Sequence, residues 1–102
     1  MAFVPVCAAE DVPPGAMARF DVAGRQVAVY HADGAFRATA AICTHEHADL
    51  TEGELEGTVV SCPLHGARFD ILTGRVLTPP AFKRLPVFPV RLRDGRVEVD
   101  LP

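Results

Sequence analysis

Apolar and polar positions alternate with a period of two along both ends of the chain, the spacing of half-buried strands. Arg25-Gln26-Val27-Ala28-Val29-Tyr30 reads as a strand with apolar residues at every second position. Asp33-Gly34 follows, a strong hairpin-turn dipeptide, and Ala35-Phe36-Arg37-Ala38-Thr39-Ala40 is the predicted return strand. The arrangement recurs near the C-terminus, where Val87-Phe88-Pro89-Val90-Arg91-Leu92 and Arg96-Val97-Glu98-Val99-Asp100-Leu101 flank Asp94-Gly95. Pro89 has no amide hydrogen to donate, which predicts an edge position or an irregularity there. Phe3-Val4-Pro5-Val6 is a predicted first strand with the same restriction at Pro5. Glu10 to Met17 contains Pro13-Pro14-Gly15 and reads as a loop. No long amphipathic helix, internal repeat or low-complexity tract is visible. Ile42 to Phe82 carries most of the His and Cys and reads as a loop-rich insert between β-rich ends. The expectation is an all-β fold of small antiparallel sheets, one domain over residues 1–102, with two loops at one tip.

Composition narrows the function classes. The chain has 102 residues with 49% apolar, a globular level that disfavours disorder. No apolar run approaches the roughly 20 residues needed to cross a bilayer. Met1-Ala2-Phe3-Val4-Pro5 lacks the basic and apolar regions of a secretory signal. A formal net charge of −3 argues against nucleic acid as partner and is compatible with docking on basic protein surfaces. Three cysteines cannot all pair, and with no signal segment the expected compartment is the reducing cytoplasm, where thiols persist and often bind metal.

The candidate chemistry lies in two short motifs, Cys43-Thr44-His45 and Cys62-Pro63-Leu64-His65, with sixteen residues between His45 and Cys62. Each offers one soft thiolate and one imidazole. Four such ligands suit Zn in a tetrahedral site or iron in a cluster, and ligand type alone does not decide between them.

The C-x-H, sixteen residues, C-x-x-H pattern resembles the Rieske signature. Similarity continues through Leu50-Thr51-Glu52-Gly53, Leu55-Glu56-Gly57, Gly66-Ala67-Arg68-Phe69-Asp70, Thr73-Gly74 and Pro79-Pro80. Nearly the whole chain is similar to the Rieske ferredoxins that serve bacterial ring-hydroxylating dioxygenases. The resemblance implies the Rieske iron–sulfur fold, with a cluster-binding region at about 42–82. It implies one 2Fe–2S cluster, with Cys43 and Cys62 on one iron and His45 and His65 on the other. Neutral imidazoles in place of two thiolates remove negative charge, so an added electron meets less repulsion and the potential rises above that of all-Cys clusters. The His-bound iron is then the expected reducible one.

Respiratory Rieske proteins carry a further Cys in each motif, joined as a disulfide; the matching positions here are Ala48 and Leu64. Those proteins also use Ser and Tyr hydroxyls as donors to the cluster, where this chain has Ala67 and Phe69. A hydrogen bond to a charged group contributes about 1.5–3 kcal/mol. Losing two that favour reduction lowers the potential by roughly 130–260 mV, at ~2.3 kcal/mol per 100 mV. Rieske centres span about −150 to +300 mV, so the low end is expected.

Other residues carry a sharper and a plainer reading side by side. His47 can compete as a ligand, but the C-x-H spacing of the resemblance selects His45 and leaves His47 at the surface or behind the ligands. His31 reads as structural or exposed, and Cys7 as a buried small hydrophobe. Leu64 is either an apolar shield and partner contact beside His65 or loop packing. Pro79-Pro80 covers the cluster in the family, or is an ordinary connection. Gly53 and Gly66 permit close backbone approach or serve as routine turns. Glu46 departs from the Gly common after the first His ligand. It either lowers the potential or is a solvated charge. Arg68 offsets negative charge or sits on a strand surface. Asp49, Glu52, Glu54 and Glu56 guide docking or form a soluble face.

The expected function is single-electron shuttling from an NAD(P)H-dependent flavoprotein reductase to a terminal aromatic-ring-hydroxylating oxygenase, by a monomeric cytoplasmic carrier that catalyses no substrate chemistry. Two alternatives stand beside it. A detached oxygenase domain would need a mononuclear iron site, and with His45 and His65 used only His31 and His47 remain. A Zn-binding interaction module is the other, distinguished by its lack of colour.

Overall fold

The computed structural model describes residues 2–44, 47–64, 66–78 and 83–102. Three antiparallel sheets make up the described fold. The first has the order β1 (Ala2–Ala8), β11 (Arg96–Leu101), β10 (Val90–Arg93). The second runs β2 (Met17–Val22), β3 (Arg25–Ala32), β4 (Ala35–Ala40), β9 (Val87–Phe88). The third runs β5 (Glu54–Glu56), β6 (Val59–Ser61), β7 (Arg68–Asp70), β8 (Val76–Thr78).

Turn chemistry sets the hairpins. Asp33 and Gly34 both take positive φ, 51° and 76°, and Asp94 and Gly95 repeat this at 53° and 75°. Two consecutive left-handed residues match the right-handed twist of the flanking strands. Pro89 divides the predicted strand in two: Val87–Phe88 joins the second sheet and Val90–Arg93 the first. Pro5 lies on the edge strand β1, where the register slips between Pro5 and Cys7. Both prolines therefore fall where a ladder tolerates a missing donor.

Two expectations need correction, and a third gains detail. Residues Met17–Val22 form a strand that the alternation did not mark, joined to β3 through Ala23-Gly24. The loop-rich middle also carries four three-residue strands, β5 to β8, which pair into a four-stranded sheet. β3 does not bury only every second residue: Val27, Ala28, Val29 and Tyr30 are all fully buried. The second sheet is an inner layer with a core on each face. Val27 and Val29 pack with Cys7, Val12, Val97 and Val99. Ala28, Tyr30 and Ala32 pack with Cys43, Cys62, Phe69 and Ile71. Full burial of a side chain such as Phe69 contributes about 2–3 kcal/mol.

Tyr30 brings a hydroxyl into the second core. Thr39 Oγ1 donates to the Ala40 carbonyl at 2.8 Å, so its lone pairs remain for the Tyr30 hydroxyl, also at 2.8 Å. Tyr30 is thus the donor, and burial raises its pKa so that it stays protonated.

Candidate metal centre

The first motif continues from the end of β4. Ala41 N–H donates to Gln26 O at 3.0 Å, prolonging the sheet, and Leu50 N–H donates to Ala41 O at 2.8 Å. Ile42 and Asp49 form an antiparallel bridge. Cys43 N–H then donates to Ala48 O at 2.9 Å. The second motif caps the β6–β7 hairpin. Ser61 pairs with Arg68, and Cys62 N–H donates to Ala67 O at 2.7 Å. Gly66 N–H returns to Cys62 O at 3.2 Å with φ at 73°, a conformation that favours glycine.

The two motifs are closed alike. Each cysteine donates its amide to the carbonyl of an alanine five residues on, at the last rung of a hairpin. Cys43 is 5% exposed and Cys62 4%, and both belong to the core that holds Tyr30, Leu50 and Phe69.

Further contacts hold these loops in place. Asp49 caps the 3-10 turn Leu50–Glu52: its Oδ1 accepts from Thr51 N at 2.9 Å and from Thr51 Oγ1 at 2.6 Å. Arg19 Nη1 on β2 donates to Asp49 Oδ2 at 3.4 Å. Thr44 Oγ1 donates to Lys83 O at 2.8 Å, tying the first motif to the segment before β9. Gly53 lies so close to the Ser61 carbonyl that a Cβ would overlap its oxygen. That close approach places the turn after Leu50–Glu52 directly against the residue before Cys62.

A groove of about 440 Å³ is bordered by residues of both motif loops and of β2, lined by Arg19, His47, Ala48, Asp49, Pro63 and Leu64 among others. Leu64 is 59% exposed, which favours the partner-contact reading over loop packing. Ala67 and Phe69 are fully buried and bring no hydroxyl.

Of the predicted ligands, Cys43 and Cys62 converge in one core, whereas His45 and His65 lie outside the described residues, as do Glu46, Pro79 and Pro80. Among the described residues no three His, Cys, Asp or Glu side chains form a metal-binding group. His47 is exposed. His31 is structural: its Nδ1 is 2.9 Å from Val12 O and its ring stacks on Phe36. Cys7 is 5% exposed in the other core, as a small hydrophobe would be. Burial, then Asp11, pushes its thiol up to about 11 against the pull of Arg96. Arg68 is exposed on β7. The motifs did not flag Arg19; Asp49 followed by Thr51 is the visible trace of its cap.

The donor set fits the group the motifs suggest. Two thiols brought into one apolar core, each on a rigid hairpin rung, suit iron–sulfur ligation. Residues 2–89 match the Rieske [2Fe-2S] domain model. The ferredoxin component of the naphthalene 1,2-dioxygenase system of Pseudomonas aeruginosa is 38% identical over 91 residues, 89% of this chain and 88% of that protein. The biphenyl dioxygenase ferredoxin subunit of Pseudomonas sp. strain KKS102 is 40% identical over 98% of this chain and 93% of its own length. The solved Sphingomonas yanoikuyae B1 ferredoxin superposes with a TM-score of 0.93 at 34% identity, covering 99% of this chain and 100% of its own. These relatives lend no support to a Zn-binding module. The chain belongs to the Rieske [2Fe-2S] family, as a ferredoxin-type electron carrier with one 2Fe–2S cluster.

Proposed function

We propose that Cys43, His45, Cys62 and His65 are the ligands of this cluster, in a single domain over residues 1–102 with its binding region at about 42–82. The chain then carries single electrons from an NAD(P)H-dependent flavoprotein reductase to a terminal oxygenase acting on aromatic rings, as a monomer in the cytoplasm. One observation carries the ligand assignment: the two motif cysteines share one core, each closed by the same Cys-to-Ala rung. The oxygenase partner is supported by one chain of a solved complex of reduced oxygenase and oxidized ferredoxin in carbazole 1,9a-dioxygenase. That chain matches with a TM-score of 0.89 at 41% identity, over 95% of this chain and 91% of its own.

When bound, the cluster takes up and returns one electron. The protein's part is to hold and shield it. Cys43 and Cys62 supply thiolates from positions that solvent barely reaches. Leu50 and Phe69, fully buried beside them, keep water from that side. Exposed Leu64, next to His65 in sequence, gives a partner an apolar contact at the same tip. No helix among the described residues is long and apolar enough to cross a membrane.

The test is anaerobic reconstitution, iron and sulfide assay and low-temperature electron paramagnetic resonance of the reduced protein. A Rieske spectrum lost in H45A/H65A and in C43S supports the assignment. Colourless protein, or an unchanged spectrum in H45A/H65A, refutes it. Because Ala67 and Phe69 offer no hydroxyl, the midpoint is expected below about +150 mV, in the lower part of the Rieske range.

A further inference from the structure

Asp49 and Arg19 hold fixed, opposite charges against the motif loops. The Asp49 backbone forms the bridge with Ile42, one rung below Cys43–Ala48. Its carboxylate is locked on both oxygens, Oδ1 by Thr51 and Oδ2 by Arg19, and its side chain is 16% exposed. Arg19 arrives from β2, thirty residues away in sequence, and lies in the groove bordered by Ala48 of the first loop and Pro63 and Leu64 of the second. Its Nε also donates to Asp21 Oδ1 at 3.1 Å. The Asp21 hydrogen bond, then the charges of Asp21 and Asp49, raise the guanidinium pKa, so it stays cationic.

Partly exposed ion pairs contribute little to stability, typically below about 1 kcal/mol. Their charges still act on a neighbouring centre whose own charge changes, most of all within a Debye length of roughly 8–10 Å. With a cluster held by Cys43 and Cys62, reduction would add one negative charge beside this pair. A cation in the groove favours that state and an anion opposes it.

Resting on the ligand assignment above, we infer that Arg19 and Asp49 form a charge pair that tunes the reduction potential, Arg19 raising it and Asp49 lowering it. The pair also lets one substitution move the potential without touching a ligand, because each charge is anchored independently. Asp49 keeps its Thr51 contacts without Arg19, and Arg19 keeps Asp21 without Asp49.

The experiment is protein-film voltammetry or dye-mediated titration of the holoprotein for wild type, R19Q, R19K, D49N and R19Q/D49N, at low and high salt. R19Q is expected to shift the midpoint down, D49N to shift it up, and the double variant to fall between them. R19K should stay near wild type, and high salt should shrink every shift. A purely structural tie gives shifts of one sign, or none, and either result overturns the inference. If R19Q loses the cluster, D49N and R19K decide, and an unshifted D49N overturns it. A wild-type Rieske spectrum with unshifted variants defeats this inference alone. A wild type without that spectrum defeats the ligand assignment as well.

Discussion

Gly53 shows how one missing side chain fixes the second motif. A Cβ there would overlap the Ser61 carbonyl oxygen, a backbone atom that cannot swing aside, and Ser61 is bonded directly to Cys62. Gly53→Ala therefore forces β6 to move, at a cost of about 2–4 kcal/mol, and should lower both denaturation midpoint and iron content. Gly57→Ala is the control. It has open space around its Cβ position and loses only about 1–2 kcal/mol to its φ of 58°. Equal losses in the two variants would show that the Ser61 contact is not the constraint.

Cys7 gives the fold a dependence on alkaline pH. Burial first, then Asp11, lifts its pKa from 9.0 to about 11. Below pH 9 the thiol is protonated in folded and unfolded chains alike, and its contribution is constant. Between pH 9 and 11 the unfolded chain releases the proton while the folded one retains it, so stability falls; above 11 the loss levels off. A shift of this size is worth at most about 2–3 kcal/mol, and because the charges of Asp11 and Arg96 act from exposed positions the loss is about 1–2 kcal/mol. Urea denaturation of wild type and C7A at pH 8 and pH 10.5 measures it. The stability lead of wild type should narrow at the higher pH, and a constant difference would show that Cys7 does not drive the loss.

At the scale of elements, β3 explains why a period-two pattern misled. Four consecutive residues, Val27 to Tyr30, are buried because the strand serves two cores, so no polar face remains to alternate with. Tyr30 is the costliest member, since its hydroxyl needs a partner in an apolar layer. Y30F should lose about 1 kcal/mol in chemical denaturation, and no more, because Thr39 keeps its bond to Ala40. A larger loss would mean that the Tyr30–Thr39 bond organises the sheet. The two Asp-Gly hairpins were legible because that dipeptide names its own backbone conformation. The hairpin at Ala23-Gly24 was not: Ala23 takes φ of 51°, which costs a residue with a Cβ, and tertiary pairing imposes it. Strands of three residues such as β5 to β8 are too short to show any period. That Cys43 and Cys62 would converge was legible because each motif is a local spacing. The Arg19–Asp49 and Thr44–Lys83 ties, thirty and thirty-nine residues apart, exist only once the chain has folded.

Across the whole molecule, the two cores answer differently to loss of metal. One core, with Cys7, Val12, Val97 and Val99, is built from carbon packing between the first and second sheets. The other includes both motif cysteines, and its third sheet is made of three-residue strands. Short strands bury little area each, so that side depends more on whatever its thiols hold. Local stability need not be uniform when cores are separate, because each can open without the other. Iron removal by chelator under reducing conditions is therefore expected to expose amides of β5 to β8 to hydrogen exchange by ten-fold or more, while β1, β10 and β11 stay protected. Mass spectrometry of exchanged peptides reads the two regions separately. Uniform loss of protection would mean that β3, shared by both cores, couples them into one cooperative unit. No change anywhere would mean that the thiols stabilise their core as plain buried side chains.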